Sequence, residues 1–151
     1  MDVKGKAAVI TGASAGIGLA TARLFAAEGA RVALVARSSA KIEAVARELR
    51  EKGVDALSVT ADMRDRDAVN RMVEKVIDHF GRVDILINNA GQAAAGTVAE
   101  LSIEDFQEII ELNVYGPVYA IQAAVPKMRA GGGGLIINVS SMVSKMQIPA
   151  L

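Results

Sequence analysis

The chain contains five short runs of almost uninterrupted aliphatic residues, and segments with helical periodicity separate them. A strand with one face in water alternates apolar and polar residues, whereas a strand buried on both faces does not. The runs therefore predict strands that lie inside the protein under a cover of helices. The predicted strands are Lys6–Thr11, Arg31–Ala36, Val54–Thr60, Val83–Asn88 and Leu135–Ser140.

The segments between the strands carry the local signals of helices. Ser38 or Ser39 is predicted to cap the second helix, and Ser102 with Asp105 resembles a capping box at the start of the fourth. Pro126 is predicted to kink or loosen the last turn of the fifth helix. In the first helix the residues at helical spacing are Ile17, Ala20, Leu24 and Ala27; in the third they are Val69, Met72, Val73, Val76 and Phe80. The predicted helices are Gly16–Glu28, Lys41–Lys52, Arg64–Phe80, Ser102–Leu112 and Pro117–Arg129.

Strands that alternate with amphipathic helices form a parallel sheet covered by helices on both faces. With right-handed crossovers, the pattern predicts an α/β fold of the doubly wound, Rossmann type, with about five strands in the order 3-2-1-4-5. No linker or fixed repeat divides the sequence. Residues 1–151 are therefore predicted to form one domain.

Composition excludes several classes of function. The 17 basic and 17 acidic residues balance, which removes the electrostatic case for a nucleic-acid partner. Without cysteine, and with His79 as the single histidine, no metal site, disulfide or thiol nucleophile is expected. No apolar run reaches the ~18 residues of a membrane span. The N-terminus leads straight into the first strand, so we expect no signal peptide and a cytoplasmic location.

A glycine-rich turn joins the first strand to the first helix in the pattern Gly-x-x-x-Gly-x-Gly. Gly12 permits a tight turn, Gly16 lets backbone approach a pyrophosphate, and Gly18 lets the helix pack closely. The helix N-terminus offers unpaired N–H groups to phosphates. Ser14 can add a hydroxyl, and Ile17 belongs to the same candidate site. The alternative is an ordinary βα turn that is rich in glycine.

The end of the second strand bears on the choice of nucleotide. An NAD site of this type has an Asp or Glu about 20 residues past the glycine loop, where it binds the ribose 2′-hydroxyl. This chain has Arg37 there, followed by Ser38. A guanidinium can form a fork with a 2′-phosphate, which favours NADP(H) and leaves NAD(H) as the second choice. The alternative is a surface arginine at a strand end.

Four further motifs stand in order on the predicted elements. The fourth strand ends in Asn88-Asn89-Ala90-Gly91, Asp62-Met63 follows the third strand, Leu112-Asn113-Val114 lies on a helix, and Asn138-Val139-Ser140-Ser141 ends the fifth strand. With the Thr11–Gly18 turn, these motifs resemble the short-chain dehydrogenase/reductase family. The resemblance extends from about Lys4 to Ser141, so it implies an NAD(P)-binding domain.

The resemblance also implies an activity, in which hydride passes between a nicotinamide and a small-molecule carbonyl or alcohol. Ser141 would bind the substrate oxygen, with Ser140 as the competing serine, and Asn113 would orient a water in a proton relay. The cofactor would be bound by Asp62 and Met63 at its adenine and by Asn89, Ala90 and Gly91 beside the fourth strand. The family also implies a homo-oligomer, either a dimer or a tetramer. Asn89 and Asn113 have an alternative role in holding loops.

One family motif lies outside this sequence. A Tyr-x-x-x-Lys pair, which supplies the general acid/base, follows the serine by about a dozen residues and would fall just past Leu151. Tyr115 and Tyr119 are not followed by lysine four residues later. We therefore expect the N-terminal part of a longer reductase that is inactive without the rest. The alternatives are a non-catalytic nucleotide-binding module and, less favoured, another doubly wound nucleotide binder such as a methyltransferase.

The fifth predicted strand also indicates the N-terminal part of a longer protein. Leu135, Ile136, Ile137 and Val139 are more apolar than an exposed edge strand normally is, because such an edge invites aggregation. We therefore expect a further strand to pair with it.

Overall fold

A computed structural model of the protein describes residues 2–94, 96–97 and 99–141. Five parallel strands form one sheet in the order β3-β2-β1-β4-β5, which confirms the predicted doubly wound topology. The strands are β1 (Ala7–Thr11), β2 (Arg31–Ala36), β3 (Ala56–Thr60), β4 (Ile85–Asn88) and β5 (Leu135–Asn138). The helices are α1 (Gly16–Ala27), α2 (Ser39–Glu51), α3 (Arg66–Phe80), α4 (Ile103–Ile110) and α5 (Gly116–Ala130).

The register brings the carboxyl ends of the strands to one edge of the sheet. Thr11 at the end of β1 pairs with Val35, and Asn88 at the end of β4 pairs with Asn138 of β5. The loops that leave these ends therefore emerge side by side. In open α/β sheets this is the edge where ligands bind.

The sheet is covered on both faces, and each face has its own apolar core. Ala8 and Ile10 of β1 belong to the core that contains residues of α1 and α2, whereas Ala7 and Val9 belong to the core under α3 and α5. The predicted face of α3 is buried as expected, and it consists of Val69, Met72, Val73, Val76 and Phe80.

The predicted face of α1 is wrong. The buried residues of α1 are Gly18, Ala22 and Ala26, whereas Ile17 and Leu24 are 67% and 59% exposed. Small residues spaced four apart form a flat stripe that lets a helix backbone approach its neighbours closely. Hydrophobic periodicity gives most weight to large side chains, so it selected the opposite side of the helix.

The helical region between β4 and β5 also differs from the prediction. Instead of ending near Leu112, α4 passes into a π-helical turn at Glu111–Tyr115 and then directly into α5. A Cβ added at Gly116 would lie 3.1 Å from the carbonyl oxygen of Met63, so glycine lets this turn approach the loop after β3. Pro126 does not end α5, which stays helical as far as Ala130; the kink remains a prediction.

The predicted caps have mixed outcomes. Ser102 caps α4, because its hydroxyl accepts a hydrogen bond from the backbone N–H of Asp105 at 3.0 Å. Ser38 stands at the cap position of α2 but makes no capping hydrogen bond through its side chain, and Ser39 is already helical. The carboxylate of Asp65, which sequence reasoning placed inside α3, caps that helix.

Strand β5 occupies an edge of the sheet, and Leu135 at its start is 40% exposed. Pairing of a further strand with this edge stays a prediction. Within the described ranges, no helix has the length and apolar character needed to cross a membrane.

Candidate functional site

A cleft of about 640 Å³ lies at the carboxyl edge of the sheet. Most of the predicted cofactor-binding residues line it together: Gly12, Ser14, Gly16, Arg37, Asp62, Met63, Asn89, Ala90 and Gly91. Ile17, Gly18, Asn113 and Ser141 are not among the described lining residues. Sequence reasoning did not select the lining residues Ala15, Ala36, Ser38, Ala61 and Leu112, although Ala15 and Leu112 lie within two of the motifs.

The glycine turn is built by close backbone contacts. A Cβ at Gly18 would lie 2.4 Å from the carbonyl oxygen of Gly12 and 2.5 Å from Nδ2 of Asn89. Gly12 has a φ of +69° and would place a Cβ 2.8 Å from the same Asn89 atom. Gly16 has a φ of +55° but open space around its Cα. Glycine is therefore favoured at this position by the backbone conformation and not by a lack of space. Gly18 therefore packs α1 against the turn and against the end of β4.

The N-terminus of α1 is open. The N-cap residue Ala15 provides no side-chain acceptor, and the first turn holds no acidic residue. The first helical hydrogen bond of α1 joins the backbone N–H of Leu19 to the carbonyl of Ala15 at 3.2 Å. Residues 16–18 come before this bond. Their N–H groups and the positive end of the helix dipole suit an anion, and Ala15 and Gly16 line the cleft.

A buried threonine ties the turn to β4. Thr11 is 1% exposed, and its hydroxyl accepts hydrogen bonds from the backbone N–H groups of Asn89 at 2.9 Å and Ala90 at 3.0 Å. The hydroxyl donates in turn to the carbonyl of Ile87 at 3.2 Å. Nδ2 of Asn89 donates to the carbonyl of Thr11 at 2.9 Å. The side chain of Asn89 thus holds the loop, which is the alternative role considered from its sequence.

Sequence reasoning did not select Thr11 as a site residue. The signal that could have found it is a hydroxyl residue at the end of an otherwise aliphatic strand. Asn88 plays a similar structural part, because its Nδ2 donates to Oδ1 of Asn138 at 2.9 Å and so joins β4 to β5.

Arg37 follows β2, lines the cleft and is exposed. Over the described ranges its guanidinium takes part in no hydrogen bond or ion pair. The only carboxylate in the described lining is that of Asp62. A cation without a partner at this position suits a phosphate group.

The carboxylate of Asp62 is held by Arg64. Nη2 of Arg64 donates to Oδ2 at 2.8 Å, and Nε lies 3.2 Å from each carboxylate oxygen. These hydrogen bonds are the main reason that the pKa of Asp62 is lowered below its ordinary value, and they raise the pKa of Arg64. Nη1 of Arg64 also reaches Oε2 of Glu108 on α4 at 3.1 Å. Sequence reasoning missed Arg64, because the partner of a side chain on a loop carries no periodic signal.

Asn113 lies in the π-helical turn and binds the loop after β4. Its Oδ1 accepts from the backbone N–H of Gln92 at 3.0 Å, and its Nδ2 donates to the carbonyl of Gln92 at 2.7 Å. A Cβ at Gly91 would lie 3.1 Å from Oδ1 of Asn113, so the asparagine borders the cleft through Gly91.

The two candidate serines follow β5. The backbone N–H of Val139 bonds to the carbonyl of Asn88 at 2.9 Å, which extends the pairing of β5 with β4 by one residue. Ser140 and Ser141 are exposed just past this point, at the same edge of the sheet as the cleft. The predicted position of the Tyr-x-x-x-Lys pair lies beyond Leu151 and therefore outside the described residues.

Comparison with known proteins identifies the family. The model of the short chain dehydrogenase family matches residues 6–151. The uncharacterized oxidoreductase YxnA of Bacillus subtilis is 43% identical over 142 residues, which are 93% of this chain and 40% of that protein. The 3-oxoacyl-(acyl-carrier-protein) reductase FabG of Staphylococcus aureus is 39% identical over 95% of this chain and 59% of its own length. The chain thus spans about half the length of these curated relatives.

Solved structures agree. L-sorbose reductase from Gluconobacter frateurii, in complex with NADPH and L-sorbose, matches with a TM-score of 0.87 and 47% identity over 91% of this chain and 54% of that one. A short chain dehydrogenase/reductase from Burkholderia phymatum, in complex with NAD, matches with a TM-score of 0.95 and 28% identity over 100% of this chain and 54% of that one. The topology, the glycine turn and these matches lead to one conclusion: the chain belongs to the short chain dehydrogenase family of oxidoreductases.

Proposed function

We propose that this chain is the nucleotide-binding part of an NADP(H)-dependent oxidoreductase that transfers hydride between nicotinamide and a carbonyl or secondary alcohol. The observation that carries the choice of NADP(H) is the guanidinium of Arg37, which lies in the cleft and has no partner among the described residues. An NAD site would have a carboxylate at this position. The relatives support a nicotinamide cofactor in general, since one similar structure holds NADPH and another holds NAD.

The residues of the cleft divide the binding of the cofactor among them. The glycine turn and the open N-terminus of α1 face the pyrophosphate, and the guanidinium of Arg37 binds the 2′-phosphate. Asp62 and Met63 border the adenine, while Asn89 to Gly91 border the nicotinamide half. The first two assignments place backbone N–H groups and a cation opposite phosphates.

The bound nicotinamide supplies the hydride chemistry, and this chain supplies positioning. The hydroxyl of Ser141 donates a hydrogen bond to the substrate oxygen. Asn113 orients a water, because its Nδ2 uses one N–H on Gln92 and retains a second one. Proton transfer needs a group with a suitably tuned pKa, and we assign it to a Tyr-x-x-x-Lys pair that follows residue 151 in the complete protein.

The cofactor assignment is tested by comparing NADPH and NADH. We expect the complete protein to bind NADPH more tightly, and Arg37→Asp to reduce the NADPH preference by about tenfold, because a charge-assisted fork is replaced by repulsion. Dissociation constants from fluorescence titration give the ratio. Arg47→Asp on α2, an exposed residue outside the cleft lining, is the matched control and should leave the ratio unchanged. Equal affinities for the two cofactors in the unmutated protein would contradict the role of Arg37.

The catalytic assignment is tested by Ser141→Ala. In the complete protein this change should lower kcat by about 100-fold or more, while the dissociation constant of NADPH stays nearly constant. Ser140→Ala is the matched control on the neighbouring residue. Unchanged turnover in Ser141→Ala, with loss in Ser140→Ala, would move the role to Ser140.

A non-catalytic nucleotide-binding module is the second candidate. Within residues 1–151 neither Tyr115 nor Tyr119 precedes a lysine at the family spacing, so this part of the protein by itself is suited to nucleotide binding. Intact mass spectrometry of the natural protein separates the two. A mass well above 15.7 kDa supports the longer reductase, and a mass of 15.7 kDa supports the module.

A further inference from the structure

One guanidinium and one carboxylate line the cleft, and among the described residues only the carboxylate is paired. Asp62 and Arg37 line the same cleft. Arg64 binds the carboxylate of Asp62 through Nε and Nη2, and its backbone N–H adds a further hydrogen bond to Oδ1 at 3.0 Å. Arg37 forms no ion pair within the described ranges.

A guanidinium can form a bidentate pair with a neighbouring carboxylate, because its planar fork of donors matches the two oxygens. Both groups line the same cleft. The pKa of Asp62 is lowered first by the hydrogen bonds from the Arg64 side chain, and among the smaller causes is the charge of Arg37. Arg64 thus occupies the carboxylate of Asp62, which is the only carboxylate in the described lining of the cleft.

The geometry of the Arg64 contact is local. Arg64 stands two residues after Asp62, so the same short loop supplies the carboxylate, the backbone donor and the guanidinium. Closing so short a loop costs little chain entropy. Arg37 reaches the cleft from the end of β2, on a different segment, and so competes at a disadvantage.

We propose that Arg64 is a specificity-determining residue that acts through Asp62: it neutralises this carboxylate and so keeps the guanidinium of Arg37 available for the 2′-phosphate of NADP(H). Arg64 is a positioning residue in this scheme, since it contacts Asp62 and is not itself among the described lining residues. The inference rests on the proposed NADP(H) preference.

A purely structural role for Arg64 makes a different prediction. Nη1 of Arg64 also bonds to Glu108 at 3.1 Å and thereby ties α4 to the loop after β3. If that tie were the important one, Glu108→Gln would reproduce the effect of changing Arg64. If Asp62 is the important partner, Glu108→Gln leaves cofactor choice unchanged.

The experiment measures dissociation constants for NADPH and NADH in the complete protein and in four variants. Arg64→Gln should lower the preference for NADPH by about three- to fivefold, the range of a partly exposed ion pair. The double variant Asp62→Asn/Arg64→Gln should restore the ratio, because no carboxylate remains to capture Arg37. Glu108→Gln and Arg71→Gln, which removes an exposed cation of α3, should leave the ratio unchanged.

The two cofactors differ by the 2′-phosphate, so the ratio of their dissociation constants reports on that group alone. A general loss of affinity or stability affects both constants and cancels from the ratio. Where Arg64→Gln folds poorly, Arg64→Lys keeps the charge without the fork and should shift the ratio by a smaller amount in the same direction. An unchanged ratio in both Arg64 variants, or an equal shift in Glu108→Gln, overturns the inference while the NADP(H) assignment stands. An unmutated protein without NADPH preference overturns the proposed cofactor choice and this inference with it.

Discussion

Helices α1 and α3 both start at the carboxyl edge of the sheet, and they start in opposite ways. Helix α3 is closed by Asp65, whose Oδ1 accepts from the backbone N–H groups of Asp67 at 2.8 Å and Ala68 at 3.1 Å. Helix α1 follows Ala15, which has no side-chain acceptor, and its first turn holds no acid. The N–H groups at the start of α3 are therefore bound by a side chain of the same helix end. Those at the start of α1 have no such side-chain acceptor.

The difference separates stability from binding. A capping side chain contributes about 1 kcal/mol to a protein, and an acid in the first turn adds a smaller favourable interaction with the helix dipole. Helix α3 has both. Helix α1 has neither, and Ala15 and Gly16 at its start line the cleft. Under the proposed function, the missing cap leaves the N–H groups of α1 for the pyrophosphate of the cofactor.

The most direct test of this difference is to give α1 a capping side chain like that of α3. Ala15→Asp places a carboxylate at an N-cap with extended backbone, where it can accept from the first-turn N–H groups. We expect the free protein to gain about 1 kcal/mol in stability. We also expect cofactor affinity to fall by about 100-fold, because a carboxylate near a pyrophosphate costs several kcal/mol at short range. Thermal unfolding and fluorescence titration measure the two effects.

Ala15→Asn is the control, because it offers the same cap without the charge. It should stabilise the free protein by a similar amount and weaken binding less than the aspartate does. If Ala15→Asp binds NADPH as tightly as the unmutated protein, then the N-terminus of α1 is not the pyrophosphate site.

The second way tests how α1 is brought to the turn. In Gly18→Ala the new Cβ would meet the carbonyl oxygen of Gly12 at 2.4 Å, so the backbone must shift. We expect a loss of about 2 kcal/mol in the free energy of unfolding, the size of a typical overpacking effect. Urea denaturation of the complete protein with and without NADPH gives this number and the accompanying loss of binding.

Gly16→Ala is the matched comparison within the same turn. Its Cβ would meet nothing within 4 Å, so only the φ of +55° opposes it, at a cost of about 1 kcal/mol. A larger loss for Gly16→Ala than for Gly18→Ala would show that conformation, rather than close packing, dominates the requirement for glycine.

The sequence predicted one helix face well and the other wrongly, for a physical reason. On α3 the buried residues are large, among them Met72 and Phe80, so their spacing carries a strong signal. On α1 the buried residues are small, and exposed Ile17 and Leu24 dominate the pattern. Periodicity measures side-chain hydrophobicity, whereas close backbone approach depends on the lack of a side chain.

The candidate site shows the same division. The glycine turn and Arg37 lie at positions that a motif fixes relative to a strand, so the sequence was enough to place them in the cleft. Thr11 and Arg64 act through partners that the chain meets only on folding, at Ala90 and Asp62. The π-helical turn around Asn113 has no sequence signal, since its residues fit an ordinary helix equally well.

The smallest expected effect comes from removing the capping side chain of α3, so that its N-terminus resembles that of α1. Asp65→Ala removes the acceptor for the N–H groups of Asp67 and Ala68, and we expect a loss of about 1 kcal/mol, or roughly 2–4 °C in Tm for a protein of moderate size. Asp65→Asn keeps the acceptor and should lose less. Cofactor affinity should stay unchanged in both variants, because Asp65 is not among the described residues that line the cleft. A drop in NADPH affinity as large as that of Ala15→Asp would show that the two helix ends are not separate in function, and it would undo the contrast between a cap that serves stability and an open end that serves binding.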